Sequence, residues 1–190
     1  MAVNQTAQKI LIVAQKNLQQ KGFNGFSYRD LAQEIGIKTS SIHYYFPTKD
    51  DLALALVTAY HEAFKIELAK ISSEDGTRLH LERYAKLFED NLAVDNKFCL
   101  CGMLASEVNS LSDRVKQAIQ RFFTDNELWL SQLIADGQSN GSFKTINSPD
   151  LVAAQLLATF EGAMLIARSA EKDSVLKFRL VVQGAIESLC

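Results

Sequence analysis

The chain has 190 residues, of which 47% are hydrophobic and 22% charged, a composition typical of a globular protein that can bury a sizeable core. It contains two prolines and no repeat or low-complexity segment, which permits long helices and excludes collagen-like and low-complexity classes. No apolar run approaches the roughly 18–20 residues needed to cross a bilayer, and the polar first residues lack the apolar core of a secretion signal. We therefore expect a cytoplasmic protein without a membrane partner.

The net charge of −2 conceals an uneven distribution along the chain. Residues 1–49 hold six Lys/Arg and two acidic residues, a net charge of +4, while residues 50–190 hold 14 Lys/Arg and 20 acidic residues, a net charge of −6. A basic N-terminal segment on an acidic remainder suits a protein that meets phosphate groups with one end only. Chance segregation of the charged residues is the alternative explanation of this modest difference.

The N-terminal segment predicts three short helices. Residues 5–21 carry apolar side chains at helical spacing on one face. Residues 27–49 predict a helix, a tight turn and a second short helix, with Ser27 capping the first helix and Gly36 ending it in a left-handed conformation. Thr39 is expected to cap the second helix. This order is typical of a helix-turn-helix.

The second helix of this pair is too short, and too polar on one side, to belong to the core. Its outward side chains are rich in hydroxyl groups and end in an aromatic ring: Ser40, Ser41, His43 and Tyr44. A helix of this kind on a rigid turn is what a helix-turn-helix presents to DNA.

The rest of the chain predicts further helices, about nine in all, and therefore an all-α fold. The predicted ranges are 48–71, 77–93, a short helix that ends near 109, 113–138, 149–170 and 173–189. Thr48 and Ser148 stand where helix caps are expected, and Pro149 takes the favoured first position behind Ser148.

The last two predicted helices are apolar on more than one face, so each must be buried on two sides. One side is expected to face the core and the other a second subunit, which gives a twofold dimer through a four-helix seam. The predicted interface residues are Leu151, Ala154, Ala158, Gly162, Leu165, Leu180, Val181 and Ala185. An interior helix pair in a monomer is the alternative.

The pattern Leu-Ala-x-x-Ile-Gly-Ile at 31–37, followed by Ile-x-Tyr-Tyr-Phe-x-x-Lys-x-x-Leu at 42–52, resembles the TetR family of one-component transcriptional repressors. The resemblance covers about residues 8–57 and is weak beyond them. It implies a helix-turn-helix DNA-binding domain over 1–48 and a helical ligand-binding and dimerisation domain over 49–190. The implied protein is a ligand-responsive repressor without a cofactor, which binds a palindromic operator in double-stranded DNA as a homodimer and responds to a small-molecule effector.

The resemblance also implies which residues contact DNA. Thr39, Tyr44 and Lys49 would bind phosphates, and Ser40, Ser41 and His43 would face base edges. Tyr28 and Arg29 would approach from the preceding helix.

Aromatic and soft side chains at helical spacing in the second domain are candidates to line a ligand pocket, although most residues of this kind pack in cores. The candidates are Phe64, Tyr84, Phe88, Met103, Phe122, Phe123, Trp129, Phe160 and Met164. Glu107 could anchor a ligand or lie on the surface, and we expect the surface.

Three cysteines, an odd number, do not form a disulfide framework. Segment 99–107 resembles a Cys-Leu-x-Gly-x-Leu-x-x-Glu-like segment of some family members, among them proteins that respond to reactive small molecules. The structural interpretation makes Cys99 and Cys101 small buried apolar residues. The alternative is a thiol sensor, in which an electrophile or oxidant modifies one of them and releases DNA.

Other function classes find no support in the sequence. Two further ligands at zinc spacing are missing beside the cysteine pair, and the histidines at 61 and 80 have no partner at ligand spacing, so we expect no metal site. No Gly-rich phosphate loop, nucleophile elbow or HExxH pattern occurs, so we expect no enzyme. An interaction module that has lost DNA binding is the remaining alternative, and the basic N-terminal segment argues against it.

Overall fold

The structure, a computed structural model, describes residues 5–71, 76–170 and 172–190, and within them it contains nine α-helices, one 3₁₀ turn and no strand. The helices are α1 (Gln5–Lys21), α2 (Tyr28–Ile35), α3 (Thr39–Tyr45), α4 (Lys49–Lys70), α5 (Thr77–Ala93), α6 (Leu100–Ser106), α7 (Asp113–Ser139), α8 (Pro149–Arg168) and α9 (Ser174–Glu187). The 3₁₀ turn is Val108–Ser110. The prediction of an all-α fold is confirmed.

The helices group into two compact units. The first unit runs to Ala63 and also includes Leu100–Arg121, and the second consists of Phe64–Cys99 and Phe122–Cys190. This grouping follows packing and not chain order, so α4 and α7 each contribute to both units. The functional division at 48/49 stays a prediction.

Helices α1–α3, which we call the head, pack around a small apolar core in the first unit. Ile10, Leu18, Leu31 and Ile42 are fully buried, and α1, α2 and α3 all contact one another. These residues recur at helical spacing, so each helix presents one apolar face to the others.

The turns of the head follow from local sequence. Ser27 forms a capping box with Asp30, and Gly36 ends α2 with φ of 78°, a left-handed conformation that only a residue without Cβ adopts freely. Thr39 does not cap α3, contrary to the prediction. Lys38 occupies the cap position with extended dihedral angles and no side-chain cap, so Thr39 is the first residue of the helix.

In the second unit, α8 and α9 pack against each other and against α5. Ser148 caps α8 by accepting a hydrogen bond from the Leu151 amide, with Pro149 at the first helical position, as predicted. Phe160 and Met164 lie at the centre of the buried face of α8, and Phe178 and Val182 lie on the buried face of α9.

Helix α8 is the one helix among the described residues that is long and apolar enough, by length and composition, to cross a membrane. The expectation that no apolar run of that length exists is therefore wrong. The helix is apolar on two sides, one buried against α5 and α9 and one exposed, and core helices of globular proteins share this composition.

Candidate nucleic-acid interface

Helix α3 exposes three of the four side chains on it that are predicted to face DNA from its outward side. Ser40, His43 and Tyr44 are exposed, Tyr44 by 79%, and Ser41 is half-buried. Ile42 on the opposite side is fully buried and fixes the helix to the head. The outward polar face is therefore held on a packed base, which is the arrangement that base readout requires.

The ring of His43 has a defined orientation. Its Nδ1 lies 3.2 Å from the carbonyl oxygen of Pro47, and its ring packs edge-on to Tyr28 with centroids 4.8 Å apart. A carbonyl oxygen can only accept, so Nδ1 donates and the neutral ring keeps Nε2 as an acceptor. The ring thus offers one acceptor at a fixed place beside the exposed face of α3.

Tyr28 works inside the head. Its side chain is only 8% exposed, and its hydroxyl donates to the carbonyl oxygens of Phe46 at 2.9 Å and Thr48 at 2.6 Å. Burial, with the nearby charge of Asp51 second, raises the pKa of Tyr28 to about 12, so the hydroxyl stays a donor. It fastens the link between α3 and α4, and its hydroxyl is not available to a phosphate.

Lys49, the first residue of α4, also makes internal contacts, with the head. Its ammonium donates to the carbonyl oxygens of Phe23 and Phe26 and lies over both rings, 4.6 and 4.4 Å from their centroids. Burial lowers the pKa of Lys49, and the charges of Glu107 and Asp30 act in the opposite direction. The ammonium therefore holds the turn between α1 and α2, residues 22–26, which we call the α1–α2 turn.

The other side of the α1–α2 turn is held by Glu107, which we expected on the surface. Its carboxylate accepts from the amides of Phe23 at 2.8 Å and Asn24 at 3.0 Å, and from the Asn24 side chain. At Gly22, with φ of 84°, an added Cβ would lie 2.3 Å from the Glu107 carboxylate. The expectation is corrected: Glu107 is half-buried and bound to the turn, 83 residues before it in the chain, a separation that leaves no local sequence signal.

The start of α4 is tied to the start of α7. Thr48 and Asp51 exchange hydrogen bonds as a capping box, which confirms Thr48 as a cap. The second carboxylate oxygen of Asp51 accepts from Arg114 at 3.1 Å. The hydrogen bond from the Thr48 side chain lowers the pKa of Asp51 most, and the hydrogen bond from Arg114 lowers it further.

Of the remaining DNA candidates, Arg29 is exposed and Thr39 half-buried. Together with Ser40, Ser41, His43 and Tyr44, they make six predicted DNA-contacting residues. Each of the six keeps at least one polar group that makes no hydrogen bond within the head. The structure brings these six together on α2 and α3 and gives Tyr28 and Lys49 internal partners.

Seven of the predicted ligand residues form one packed group of rings in the second unit, which we call the aromatic cluster: Phe64, Tyr84, Phe88, Phe122, Phe123, Trp129 and Phe160. The Tyr84 hydroxyl donates to Asn126 at 2.9 Å, and Asn126 donates to the carbonyl oxygen of Phe122 at 2.7 Å. Met164 is buried in the same unit, and Met103 lies in the first unit.

The predicted dimer residues occupy an apolar surface on α8 and α9, which we call the α8–α9 face. Leu151, Leu165, Leu180 and Val181 are 48–64% exposed. Ala154 and Ala158 are exposed, and Gly162 and Ala185 half-buried. A groove of about 510 Å³ runs along this face between Gly162, Ile166, Leu180 and Val181.

Cys99 and Cys101 are buried, with exposures of 1% and 0%. Among the described residues, no group of three His, Cys, Asp or Glu side chains could hold a metal ion.

Comparison with known proteins identifies both halves of the chain. The family model described as "Bacterial regulatory proteins, tetR family" matches residues 10–56, and the model described as "Tetracyclin repressor-like, C-terminal domain" matches residues 81–179. The transcriptional regulator AcuR of Cereibacter sphaeroides is 24% identical over 165 residues, 85% of this chain and 75% of that protein.

Solved structures match over nearly the whole chain. A TetR-family transcriptional regulator from Agrobacterium tumefaciens superposes with a TM-score of 0.91 and 30% identity over 96% of both chains. The reduced form of Escherichia coli NemR superposes with a TM-score of 0.84 and 21% identity over 98% of both chains, a likeness of fold.

Replacing Glu107 with alanine removes the acceptor of two amides in the α1–α2 turn. Because a hydrogen bond to a charged group contributes about 1.5–3 kcal/mol when buried, we expect this half-buried site to lose about 1–2 kcal/mol of unfolding free energy. Hydrogen exchange at the Phe23 and Asn24 amides should accelerate. Glu127→Ala, at an exposed glutamate of α7, is the control and should stay within about 0.5 kcal/mol of the parent. Unchanged exchange at both amides would contradict the role of Glu107.

Proposed function

This chain belongs to the TetR family of bacterial transcriptional regulators, and on that premise we propose that it is a repressor that binds a palindromic operator as a homodimer and releases it when a small molecule binds the second unit. The family is one of DNA-binding proteins and not of enzymes. The observation that carries the proposal is the exposed polar face of α3 on its packed base. Because its target is DNA, we place the protein in the cytoplasm.

We assign base readout to Ser40, Ser41 and His43. Hydroxyl groups can donate to or accept from base edges, and the free Nε2 of His43 can accept from the amino group of adenine or cytosine in the major groove. Thr39, Tyr44 and Arg29 surround this face and are assigned to phosphates. Tyr28 and Lys49 position the helix from within, because their polar groups are bound to backbone carbonyls.

The charge distribution supports this assignment. The net charge of +4 on residues 1–49 attracts the phosphate backbone, while the −6 on the remainder disfavours contact elsewhere. Phosphate neutralisation supplies much of the affinity and base contacts supply the sequence preference.

A second subunit would cover the α8–α9 face. Four large apolar side chains that are half exposed on two adjacent helices are unfavourable in water, and a twofold axis lets the same face bury itself. Two heads would then read two inverted half-sites, which is why the operator is expected to be palindromic.

Two continuous helices offer a route from the ligand to the head. Phe64 of α4 and Phe122 of α7 contact each other in the aromatic cluster, with ring centroids 5.4 Å apart. The first turns of the same helices lie in the first unit, where Lys49 of α4 binds the α1–α2 turn and Arg114 of α7 binds Asp51 of α4. A ligand that displaces either ring would act on one of these two helices, and ligand and operator would favour opposed conformations.

Alanine at His43 should weaken operator binding by about 1–3 kcal/mol, roughly 5- to 150-fold, because a base contact is lost. The measurement is a gel shift with the DNA upstream of the protein's own gene, over a salt series. Ile146→Ala, at a loop residue that is 99% exposed in the second unit, is the control and should bind as the parent does.

In the same series, Arg29→Gln should reduce the slope of log affinity against log salt by about one, because one phosphate contact disappears. Equal affinity and slope for all variants would contradict the interface.

Glutamate at both Leu180 and Val181 should convert the dimer to a monomer, because two charges would enter the centre of the α8–α9 face. Sedimentation equilibrium at micromolar concentration measures the mass. Leu128→Glu is the matched control, since this α7 leucine is 62% exposed outside that face. A parent that sediments as a monomer, or a double variant that stays dimeric, would refute the assigned interface.

Thiol sensing is the second candidate, and the placement of Cys99 next to the carboxyl group of Glu161 favours it, since a carboxylate can take the thiol proton. The burial of both thiols opposes it. The double variant Cys99→Ser, Cys101→Ser should hold operator DNA under an oxidant or electrophile that releases it from the parent. If both proteins release DNA to the same extent, the thiols are structural; Cys190→Ser is the control.

A further inference from the structure

The carboxyl group of Glu161 on α8 stands apart from the other partly buried acids. Both of its oxygens are shielded from solvent, and neither receives a hydrogen bond from a nitrogen or oxygen donor among the described residues; the thiol of Cys99, a weak donor, lies beside them. Glu89, by contrast, receives two bonds from Arg179 at 2.9 and 3.0 Å, and Glu107 receives amide bonds. A buried carboxylate without donors is unfavourable, so its presence requires a reason.

Few groups around Glu161 can stabilise a negative charge on its carboxyl group. Burial raises its pKa to about 7, and the Cys99 thiol, a weak donor, acts slightly in the other direction. No Lys, Arg or His of the described chain contributes to this shift. The charge of Glu161 also helps to raise the pKa of Tyr84, behind the larger effect of burial, so the two side chains lie near each other. The Tyr84 hydroxyl donates its proton to Asn126, so it does not donate a hydrogen bond to Glu161.

Tyr84 is also the centre of the aromatic cluster. Its ring contacts Phe64, Phe88, Phe160 and Trp129, and it stacks on Trp129 with an interplanar angle of 16°. Glu161 therefore places a carboxyl group, which carries a negative charge once it is ionised, at the border of a group of aromatic rings. A negative charge beside ring faces is the environment that an organic cation prefers over a neutral molecule of the same shape.

We propose that Glu161 is the counter-charge for a cationic effector, an organic ammonium compound whose apolar part packs against the aromatic cluster beside Tyr84. This inference rests on the proposed function and names the chemical class of its ligand. The ammonium group supplies the positive charge that the protein withholds from Glu161. The rings of Phe123 and Trp129 are half-buried, so the cluster has an edge at the surface that the compound can reach.

The single tryptophan of the chain, Trp129, makes the test direct, because it stacks on Tyr84 and reports binding by its fluorescence. The probes are phenyltrimethylammonium and its uncharged isostere tert-butylbenzene, titrated into the full-length protein without DNA. We expect a saturable change with the cation and weaker binding of the hydrocarbon.

Glu161→Gln keeps the shape and removes the charge, and should weaken binding of the cation about tenfold without affecting the hydrocarbon. Glu161→Asp keeps the charge and should retain the preference, which separates a charge effect from a packing effect. Glu127→Gln is the matched control, since this exposed glutamate of α7 also acts on the pKa of Tyr84 and should leave both affinities unchanged.

The inference is overturned if the cation gives no saturable change, if the two probes bind equally, or if Glu161→Gln keeps the preference for the cation. A gel shift with the cation present then tests its role as effector. Release of operator DNA by the cation from the parent, and not from Glu161→Gln, supports that role, and binding of the cation without release overturns it. A parent that binds no operator before any probe is added contradicts the proposed function itself, whereas the fluorescence titration does not depend on DNA.

Discussion

Two charged side chains of opposite sign hold the α1–α2 turn, and the placement of the recognition surface depends on them. Glu107 accepts from the amides of Phe23 and Asn24, and Lys49 donates to the carbonyl oxygens of Phe23 and Phe26. A turn of this length has backbone groups that no helix can satisfy, and charged partners satisfy them more strongly than water does. The turn thus becomes a fixed joint between α1 and the helix-turn-helix.

This joint links the head to segments far along the chain. Lys49 is the first residue of α4, and Glu107 lies between α6 and α7. Asp51 and Arg114 add a second link at the starts of α4 and α7.

The second unit contains the groups that the head lacks. It holds the aromatic cluster, a shielded carboxyl group beside a weak thiol donor and an exposed apolar face on two helices. The carboxyl group and the exposed apolar face are unfavourable in an isolated chain. In our proposals, a ligand beside Glu161 and a second copy of the α8–α9 face complete them.

Features that depend on neighbouring residues could be read from the sequence. The helices, the caps at Ser27, Thr48 and Ser148 and the left-handed Gly36 all follow from periodicity and local hydrogen bonding, and the structure confirms them. The exposed face of α3 was predictable for the same reason, because seven residues with one buried isoleucine fix which side chains point outwards. Thr39 was misplaced by one residue, since two adjacent positions can serve as a helix start and local sequence does not choose between them.

The tertiary structure alone decided the partners of Tyr28, Lys49, Glu107 and Glu161. The motif predicts that Tyr28 approaches DNA and that Lys49 binds a phosphate, yet the polar groups of both are bound to backbone carbonyls. Glu107 reaches a turn 83 residues before it, and the carboxyl group of Glu161 lies beside the Cys99 thiol and receives no nitrogen or oxygen donor from the described chain. Helix periodicity determines which face a side chain occupies, but the burial and the distant groups that fix its charge and its hydrogen bonds arise only when separate helices pack.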